Sequence, residues 1–356
     1  MKDFFKGKKV FLTGHTGFKG GWLSIWLKRL GADVTGYSLE PPTKPSLFEV
    51  CGLGKVVKTI KGNVTNLPDL SAAFADARPE IVFHLAAQSL VRYSYKKPVE
   101  TLNTNIMGTV NVLEACRVNP GVRAVVIVTS DKCYENRELV RGYRENDPLG
   151  GYDPYSCSKG CAELVTAAYR NSFFNSNDFD NHGVAVASVR AGNVIGGGDW
   201  AEDRLIPDLV RSIISGKSIS LRNPDAIRPW QHLFEPLHGY LMLAKILFES
   251  KGQYAEPWNF GPAEGDCKPV QWVVESFKKL WDAEMAWTPD VRKNPHEAQY
   301  LKLDISKAQA RLGWNPKWNL SKAAESTVAW YKAWHGKTDN MHQFSLKQIE
   351  SYEESV

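Results

Sequence analysis

The chain has 356 residues, and 44 Lys plus Arg against 39 Asp plus Glu leave a formal charge of only +5. With 43% hydrophobic and 23% charged residues it is an ordinary globular chain, not a disordered or fibrous one, and without a basic block it is not a dedicated nucleic-acid binder. No apolar run approaches the ~18 residues of a membrane span and the start lacks a signal-peptide stretch, so no membrane partner and a cytoplasmic location are expected. The six cysteines are scattered without C-x-x-C spacing, which predicts reduced thiols and no metal site.

Val10-Phe11-Leu12-Thr13 is a short apolar run followed at once by glycines, then by Trp22, Leu23, Trp26, Leu27 and Leu30 at helical spacing. Gly31 ends that helix and 33–37 reads as the next strand, so the chain opens with a βαβ unit. Apolar runs at 56–60, 81–87, 124–130 and 184–190 then alternate with helical patterns near 69–77, 98–118 and 154–175. Strands that are apolar throughout are covered on both faces, which predicts an α/β fold with a Rossmann-type doubly wound parallel sheet over residues 1–190. From 191 the texture changes: ten of the twelve tryptophans lie from Trp200 onward, and helical patterns recur near 205–215, 236–250, 270–282 and 321–335. Residues 191–335 are expected to form mainly a smaller C-terminal substrate lobe, with a stretch near 232–260 returning to the first domain, and 336–356 to be a polar, peripheral tail.

Gly14-His15-Thr16-Gly17-Phe18-Lys19-Gly20 stands between the first strand and the first helix. There, glycines let a pyrophosphate approach backbone N–H groups at the positive end of a helix. No Gly-Lys-Ser/Thr follows, so a nucleotide-triphosphate loop is not indicated. A dinucleotide site usually has an acid at the end of the second strand for the adenosine ribose; Ser38 holds that place, which predicts weak selection between NAD and NADP. Lys44, in a Pro-rich loop, reads as a solvated side chain. Tyr155-Ser156-Cys157-Ser158-Lys159 puts a phenol and an ammonium four residues apart on one helix face, and the ammonium favours phenolate, which makes Tyr155 a usable general base.

With His84-Leu85-Ala86-Ala87, Thr129-Ser130, Leu312-Gly313-Trp314-Asn315-Pro316 and Thr327-Val328-Ala329-Trp330-Tyr331, these motifs resemble the extended short-chain dehydrogenase/reductase family over nearly the whole chain. The resemblance implies NAD as cofactor and a nucleotide sugar as substrate. It sets Gly14, His15, Thr16, Gly17, Phe18, Gly20, Ser38, Asn63, Val64, Leu85, Ala86, Ala87, Tyr155 and Lys159 against the cofactor, and Ser130 and Tyr155 against the sugar 4-hydroxyl. Asn63 departs from the Asp that usually binds the adenine amino group, and His15 is read as partly compensating near the pyrophosphate. A homodimer through the helices near 98–118 and 154–175 is implied in the same way.

Asp131 and Lys132 follow Ser130, where simple 4-epimerases usually have small or uncharged residues and the dTDP-glucose 4,6-dehydratases have Asp then Glu. With Lys132 in the glutamate position, the runs Arg190-Ala191-Gly192-Asn193-Val194-Ile195-Gly196-Gly197-Gly198-Asp199-Trp200 and Arg228-Pro229-Trp230-Gln231-His232 narrow the implied substrate to CDP-glucose. Eliminating water from a 4-ketohexose needs a base for the C5 proton and an acid for the departing C6 oxygen, and Lys132 and Asp131 are expected in those roles. Lys132 must be neutral to take the proton, which asks for burial or a neighbouring cation such as Lys159. In bacteria the implied product, CDP-4-dehydro-6-deoxyglucose, feeds dideoxysugars of the O-antigen. Asn193, Arg204, Arg222 and Arg228 are the expected diphosphate contacts, Trp200 and Trp230 line the pocket or pack the core, and His296 lies in a late loop near the nucleotide. His84 reads as strand-end packing. A nucleotide-sugar epimerase, with no need of Asp131 and Lys132, and a non-enzymatic NAD(P) sensor, with no need of Tyr155, are the alternatives.

Overall fold

A computed structural model describes residues 1–290 and 300–356. Seven strands, β1 (Lys9–Thr13), β2 (Asp33–Ser38), β3 (Lys58–Lys61), β4 (Ile81–His84), β5 (Ala124–Val128), β6 (Ala185–Ala191) and β7 (Pro257–Phe260), form one sheet. Their order is β7-β6-β5-β4-β1-β2-β3, and every neighbouring pair is parallel. β4, β5 and β6 are buried at every position. Alternate residues feed two separate cores: Val10, Leu12, Ile81, Phe83 and Val126 on one face, Phe11, Val82, Val125 and Ile127 on the other. That two-sided burial is why these strands are apolar throughout instead of alternating. The α/β doubly wound class expected from the sequence is the one observed.

The strand order reverses between β1 and β4, where Thr13 pairs with His84 in register. Open parallel sheets bind ligands in the crevice at the carboxyl ends of strands at such a switch point. β7 comes from beyond residue 191 and completes the sheet beside β6, while the Phe234–Glu249 helix packs on β5 and β6. The remaining strand pairs, 194–195 with 231–232, 227–229 with 267–269 and 219–221 with 287–289, are short and lie apart from the main sheet.

Residues after Gly336 are not peripheral. Met341–Glu353 form a helix capped by the Asn340 side chain, and Met341, Ser345, Ile349 and Tyr352 are buried. These positions form one helical stripe, which the polar composition of the segment concealed. The Tyr352 hydroxyl donates to buried Glu235 at 2.7 Å. Glu353 accepts from Trp26 Nε1 at 2.8 Å and from Arg29 Nε at 3.0 Å, so the last helix clasps the first long one.

Among the described residues, His15, His84, His232 and His238 are packed inside. Burial lowers them to about 4, 3, 3 and 4 respectively, so they are neutral in the fold. In the unfolded chain each takes up a proton below about 6.5. Between about pH 6.5 and 4 the unfolded state therefore binds more protons, so this stability is complete above the window and is lost as pH falls through it. A melting temperature recorded from pH 7 to 4 is expected to fall steeply; a flat profile would contradict neutral burial.

Candidate active site

The turn after β1 is held by contacts that only glycine permits. Gly14 has φ +77°, and a Cβ there would lie 2.7 Å from the Ala86 amide nitrogen. A Cβ on Gly20 would lie 2.1 Å from the Gly14 carbonyl oxygen, so the helix starts in direct contact with the loop. Gly17 caps the Phe18–Arg29 helix without a side-chain hydrogen bond, which leaves first-turn N–H groups for an external acceptor. Thr13 Oγ1 accepts from the Leu85 and Ala86 amides, each at 3.2 Å, and stands 2.7 Å from His84 Nδ1. This carries the Leu85-Ala86-Ala87 segment alongside the glycine turn. A Cβ-free cradle facing a helix N-terminus fits a dinucleotide pyrophosphate.

On the far side of the cradle, Thr16 and Ser38 share a hydrogen bond at 2.8 Å, and Thr16 Oγ1 also donates to the Leu39 carbonyl at 3.0 Å. The His15 ring fills the space a side chain at Gly36 would need and stands edge-on to Phe48, with Nε2 3.1 Å from Thr59 Oγ1 and Nδ1 unpartnered. It points toward β2 and β3. Asn63 Oδ1 accepts from the Thr65 amide at 3.0 Å, Val64 is buried, Lys44 is exposed, and Glu40 pairs with Lys61 at 2.7 Å.

The reacting cluster forms where β5 ends. Ser130 caps a short turn, accepting from the Lys132 amide at 3.2 Å and donating to Asp131 Oδ1 at 2.9 Å. Asp131 is 1% exposed, and its Oδ2 has no hydrogen bond. Lys132 Nζ is 3.6 Å from Asp131 Oδ1, on a side chain about one-third exposed. Asp153 caps the Pro154–Ser172 helix, accepting from the Ser156 amide at 3.0 Å, and so fixes Tyr155 in the first turn with Lys159 one turn on. Burial pushes the Tyr155 phenol up to about 12; Asp131 pushes the same way, while the Ser130 hydroxyl and Arg204 pull back. Lys159 donates to the Val128 carbonyl at 3.2 Å and is lowered to about 8 by burial, against the pull of Glu163.

Behind these groups lies a buried polar network. Glu163 pairs with Arg190 at 2.8 Å and accepts from Thr129 Oγ1 at 2.5 Å and Ser188 Oγ at 2.7 Å. Arg190 donates to the Tyr134 hydroxyl at 2.7 Å. Glu163 lies one helical turn after Lys159, so the network ties the Lys159 helix to the ends of β5 and β6. A second brace comes from a π-helical turn, Asn103–Met107. Asn105 Nδ2 donates to the Gln88 carbonyl at 2.9 Å and to Ser158 Oγ at 2.8 Å, which holds the loop after β4 against the Tyr155 helix.

From beyond β6, Arg204 reaches the cluster. It pairs with Asp199 at 2.9 Å, donates to Ser89 Oγ at 2.7 Å and acts on Tyr155 electrostatically. Asn193 Oδ1 is buried without a partner. Arg222 donates to the Asp203 carbonyl at 3.2 Å, and Arg228 sits on the strand 227–229. Trp200 takes the core-packing place that was its other reading, against Trp330, Tyr331 and Trp334, with ring centroids 5.6, 5.9 and 5.1 Å away. Trp230 is buried too, its Nε1 donating to the Lys268 carbonyl at 3.0 Å. His296 lies outside the described residues.

Two residues at the cluster escaped the sequence reading. Lys19, second in the Phe18–Arg29 helix, is lowered to about 8 by burial, with Asp131 opposing and Arg204, Lys159 and Lys132 reinforcing. Its ammonium is 5.9 Å from the ring centre of Tyr240, a buried tyrosine whose hydroxyl has no partner. The available signal was a lysine in the first turn of a helix, where the dipole disfavours a cation unless an anion is near. Among the described residues no group of three His, Cys, Asp or Glu is placed to hold a metal ion, and no helix is long and apolar enough to cross a membrane.

Residues 11–327 match the family model for GDP-mannose 4,6 dehydratase. The chain is 53% identical over 351 residues to the CDP-glucose 4,6-dehydratase of Salmonella typhimurium, covering 99% of this chain and 98% of that protein. A solved dTDP-glucose 4,6-dehydratase from Bacillus anthracis, in complex with NAD, superposes with a TM-score of 0.76 at 21% identity, covering 92% of this chain and 97% of that one. A UDP-glucose 4-epimerase from Thermotoga maritima, solved with UDP-glucose, gives 0.78 at 21% identity over 93% and 99%. The glycine cradle, the Tyr155 and Lys159 pair and these two sequence matches lead to one assignment: the chain belongs to the extended short-chain dehydrogenase/reductase family that includes the GDP-mannose and CDP-glucose 4,6-dehydratases.

Proposed function

We propose that the protein converts CDP-D-glucose into CDP-4-dehydro-6-deoxy-D-glucose and water. The observation that carries this reading is the Ser130-Asp131-Lys132 turn, with Asp131 buried, beside Tyr155 and Lys159, in a chain 53% identical to a CDP-glucose 4,6-dehydratase. An epimerase needs the tyrosine but has no use for an acid and a base at the C5 and C6 end of the sugar. Bound NAD supplies a hydride acceptor for C4 and a donor for C6. Gly14, Gly17 and Gly20 shape its cradle, the Thr16 and Ser38 pair faces its adenosine half, and Lys159 holds its nicotinamide ribose. Tyr155 takes the 4-hydroxyl proton, Lys132 the C5 proton, and Asp131 gives a proton to the departing C6 oxygen. Asn193, Arg204, Arg222 and Arg228 bind the nucleotide diphosphate, Arg204 being the one that also faces Tyr155.

The test is incubation of the protein with CDP-glucose and NAD, following the alkaline absorbance of a 4-keto-6-deoxy sugar. Product from the parent chain and a loss of about 10²–10⁴ in Tyr155→Phe are expected; no product, or full activity in the variant, ends the proposal. With Ser38 where an acid would repel a ribose phosphate, dissociation constants for NAD and NADP should be comparable in the same preparation.

The working form is a homodimer in the cytoplasm. The helices spanning 98–118 and 154–172 expose Val99 (78%), Met107 (45%) and Leu164 (59%), apolar area that a second copy would cover. Sedimentation should show a dimer that Leu164→Glu converts to monomer; an unchanged mass in the variant would place the interface elsewhere.

A further inference from the structure

Lys132 stands on the short Asp131–Cys133 turn, between the end of β5 and a loop, and so tiny an element does not by itself hold a long side chain in one place. The entry to the turn is fixed by β5 and by the Ser130 hydroxyl, which accepts from the Lys132 amide at 3.2 Å. Its exit is fixed by Tyr134. That side chain is 1% exposed and stacks on Tyr143, with ring centroids 5.1 Å apart and planes at 23°. The Tyr134 hydroxyl accepts from Arg190 Nη1 at 2.7 Å and donates to Asn259 Oδ1 at 2.8 Å.

Both partners of that hydroxyl are themselves anchored. Asn259 lies fully buried on β7, the edge strand supplied from beyond residue 191. Its side-chain nitrogen donates to the Tyr143 and Asp304 carbonyls at 2.8 and 3.1 Å, which fixes the orientation of the amide and leaves its oxygen for Tyr134. Its backbone N–H donates to Glu145 Oε1 at 2.9 Å. Arg190, on β6, pairs with Glu163 at 2.8 Å and donates to the Glu145 carbonyl at 3.0 Å. The Tyr134 hydroxyl is therefore the point at which β6, β7 and the 143–145 segment grip the turn.

Lys132 depends on that grip more than its neighbours do. Its side chain is about one-third exposed and its ion pair with Asp131 is long at 3.6 Å, so neither packing nor pairing fixes the ammonium, and the backbone of the turn sets its direction. Asp131 is held separately by the Ser130 hydroxyl at 2.9 Å. Tyr155 and Lys159 stand on the Pro154–Ser172 helix, which Asp153 caps and Asn105 braces through Ser158. Loosening the turn disturbs the group meant for C5 and leaves those meant for C4 in place.

We propose that Tyr134 is a positioning residue for elimination: clamped by Arg190 and Asn259, it holds the turn so that the Lys132 amine is directed to the C5 proton. It acts through Lys132 and not on the sugar. Small misplacements of a reacting group are costly, so removing the hydroxyl should slow elimination by about 10-fold or more while oxidation at C4 changes by no more than about 2-fold.

This inference rests on the dehydratase reading, and the test separates the two. Holoenzyme is mixed with CDP-glucose, and nicotinamide absorbance and 4-keto-6-deoxy product are followed together for the parent, Tyr134→Phe, Lys132→Met and the double variant. Tyr134→Phe keeps the stacked ring, and a melting temperature checks its fold. It should hold reduced cofactor during turnover while product forms slowly. In the double variant the phenylalanine should cost nothing further, because a residue that acts through Lys132 has nothing to position once the amine is gone. Asn259→Ala, which removes the other half of the clamp, should divide the two steps in the same way and carries the comparison should Tyr134→Phe not fold. Oxidation and elimination slowed by the same factor, or a double variant whose loss is the product of the two single losses, overturns the positioning role and leaves the dehydratase reading intact. A parent chain that forms no product from CDP-glucose overturns both.

Discussion

Replacing Lys132 by methionine is expected to lower formation of the 4-keto-6-deoxy product by about 10²–10⁴, the range spanned by loss of a general base, while oxidation at C4 continues. The methionine keeps the apolar stem and removes the amine proposed to take the C5 proton. Stability should move by no more than ~0.5 kcal/mol, because the side chain is about one-third exposed and its ion pair with Asp131 is long at 3.6 Å. The variant should therefore hold oxidised sugar with reduced cofactor, seen as a standing nicotinamide absorbance that the parent does not show. Lys132→Glu, which gives the acid-then-acid order expected of dTDP-glucose 4,6-dehydratases, should recover more activity than methionine. Equal rates in parent and methionine variant would remove Lys132 from the mechanism.

The second large effect concerns stability. Glu163→Ala should destabilise the protein by about 3–5 kcal/mol, because it leaves the Arg190 guanidinium, 2% exposed, without its counter-charge. It also removes the acceptor for Thr129 Oγ1 and Ser188 Oγ. The double variant Glu163→Leu with Arg190→Met should recover much of the loss, because the cost lies in an uncompensated charge more than in the value of the pair. Denaturant curves measure both; a single variant within 1 kcal/mol of the parent would mean that water reaches the site.

Much of this architecture could be read from the chain because its signals are local. Four buried strands announce themselves as apolar runs, and the glycine turn is defined by spacing within seven residues. The features that were not legible depend on distant partners. Trp200 looks the same in sequence whether it stacks on a ligand or on Trp330, and only the fold brings that partner within 5.6 Å. The Met341–Glu353 helix is polar on average, and its buried stripe makes sense only against Trp26 and Glu235. Lys19 is masked in sequence by a glycine motif whose chemistry is that of the backbone, although an ammonium in a first helical turn is itself a request for an anion. The Ser130, Asp131 and Lys132 assignments rest on the family resemblance; what the fold adds is the direction of the Ser130 hydrogen bond.

The sheet is completed from far along the chain, and that has a consequence for biosynthesis. β6 ends at Ala191, but its neighbour β7 begins only at Pro257, and the helix that clasps Trp26 and Arg29 ends at Glu353. At roughly 5–20 residues per second, a ribosome leaves the β6 edge without a partner for several seconds. During that interval the nascent chain presents an apolar strand with open N–H and C=O groups, a template for pairing with another chain. The first 190 residues, though they contain the whole glycine cradle, should not be separable as a soluble nucleotide-binding fragment, and the full chain should depend on chaperones that shield a strand edge during synthesis.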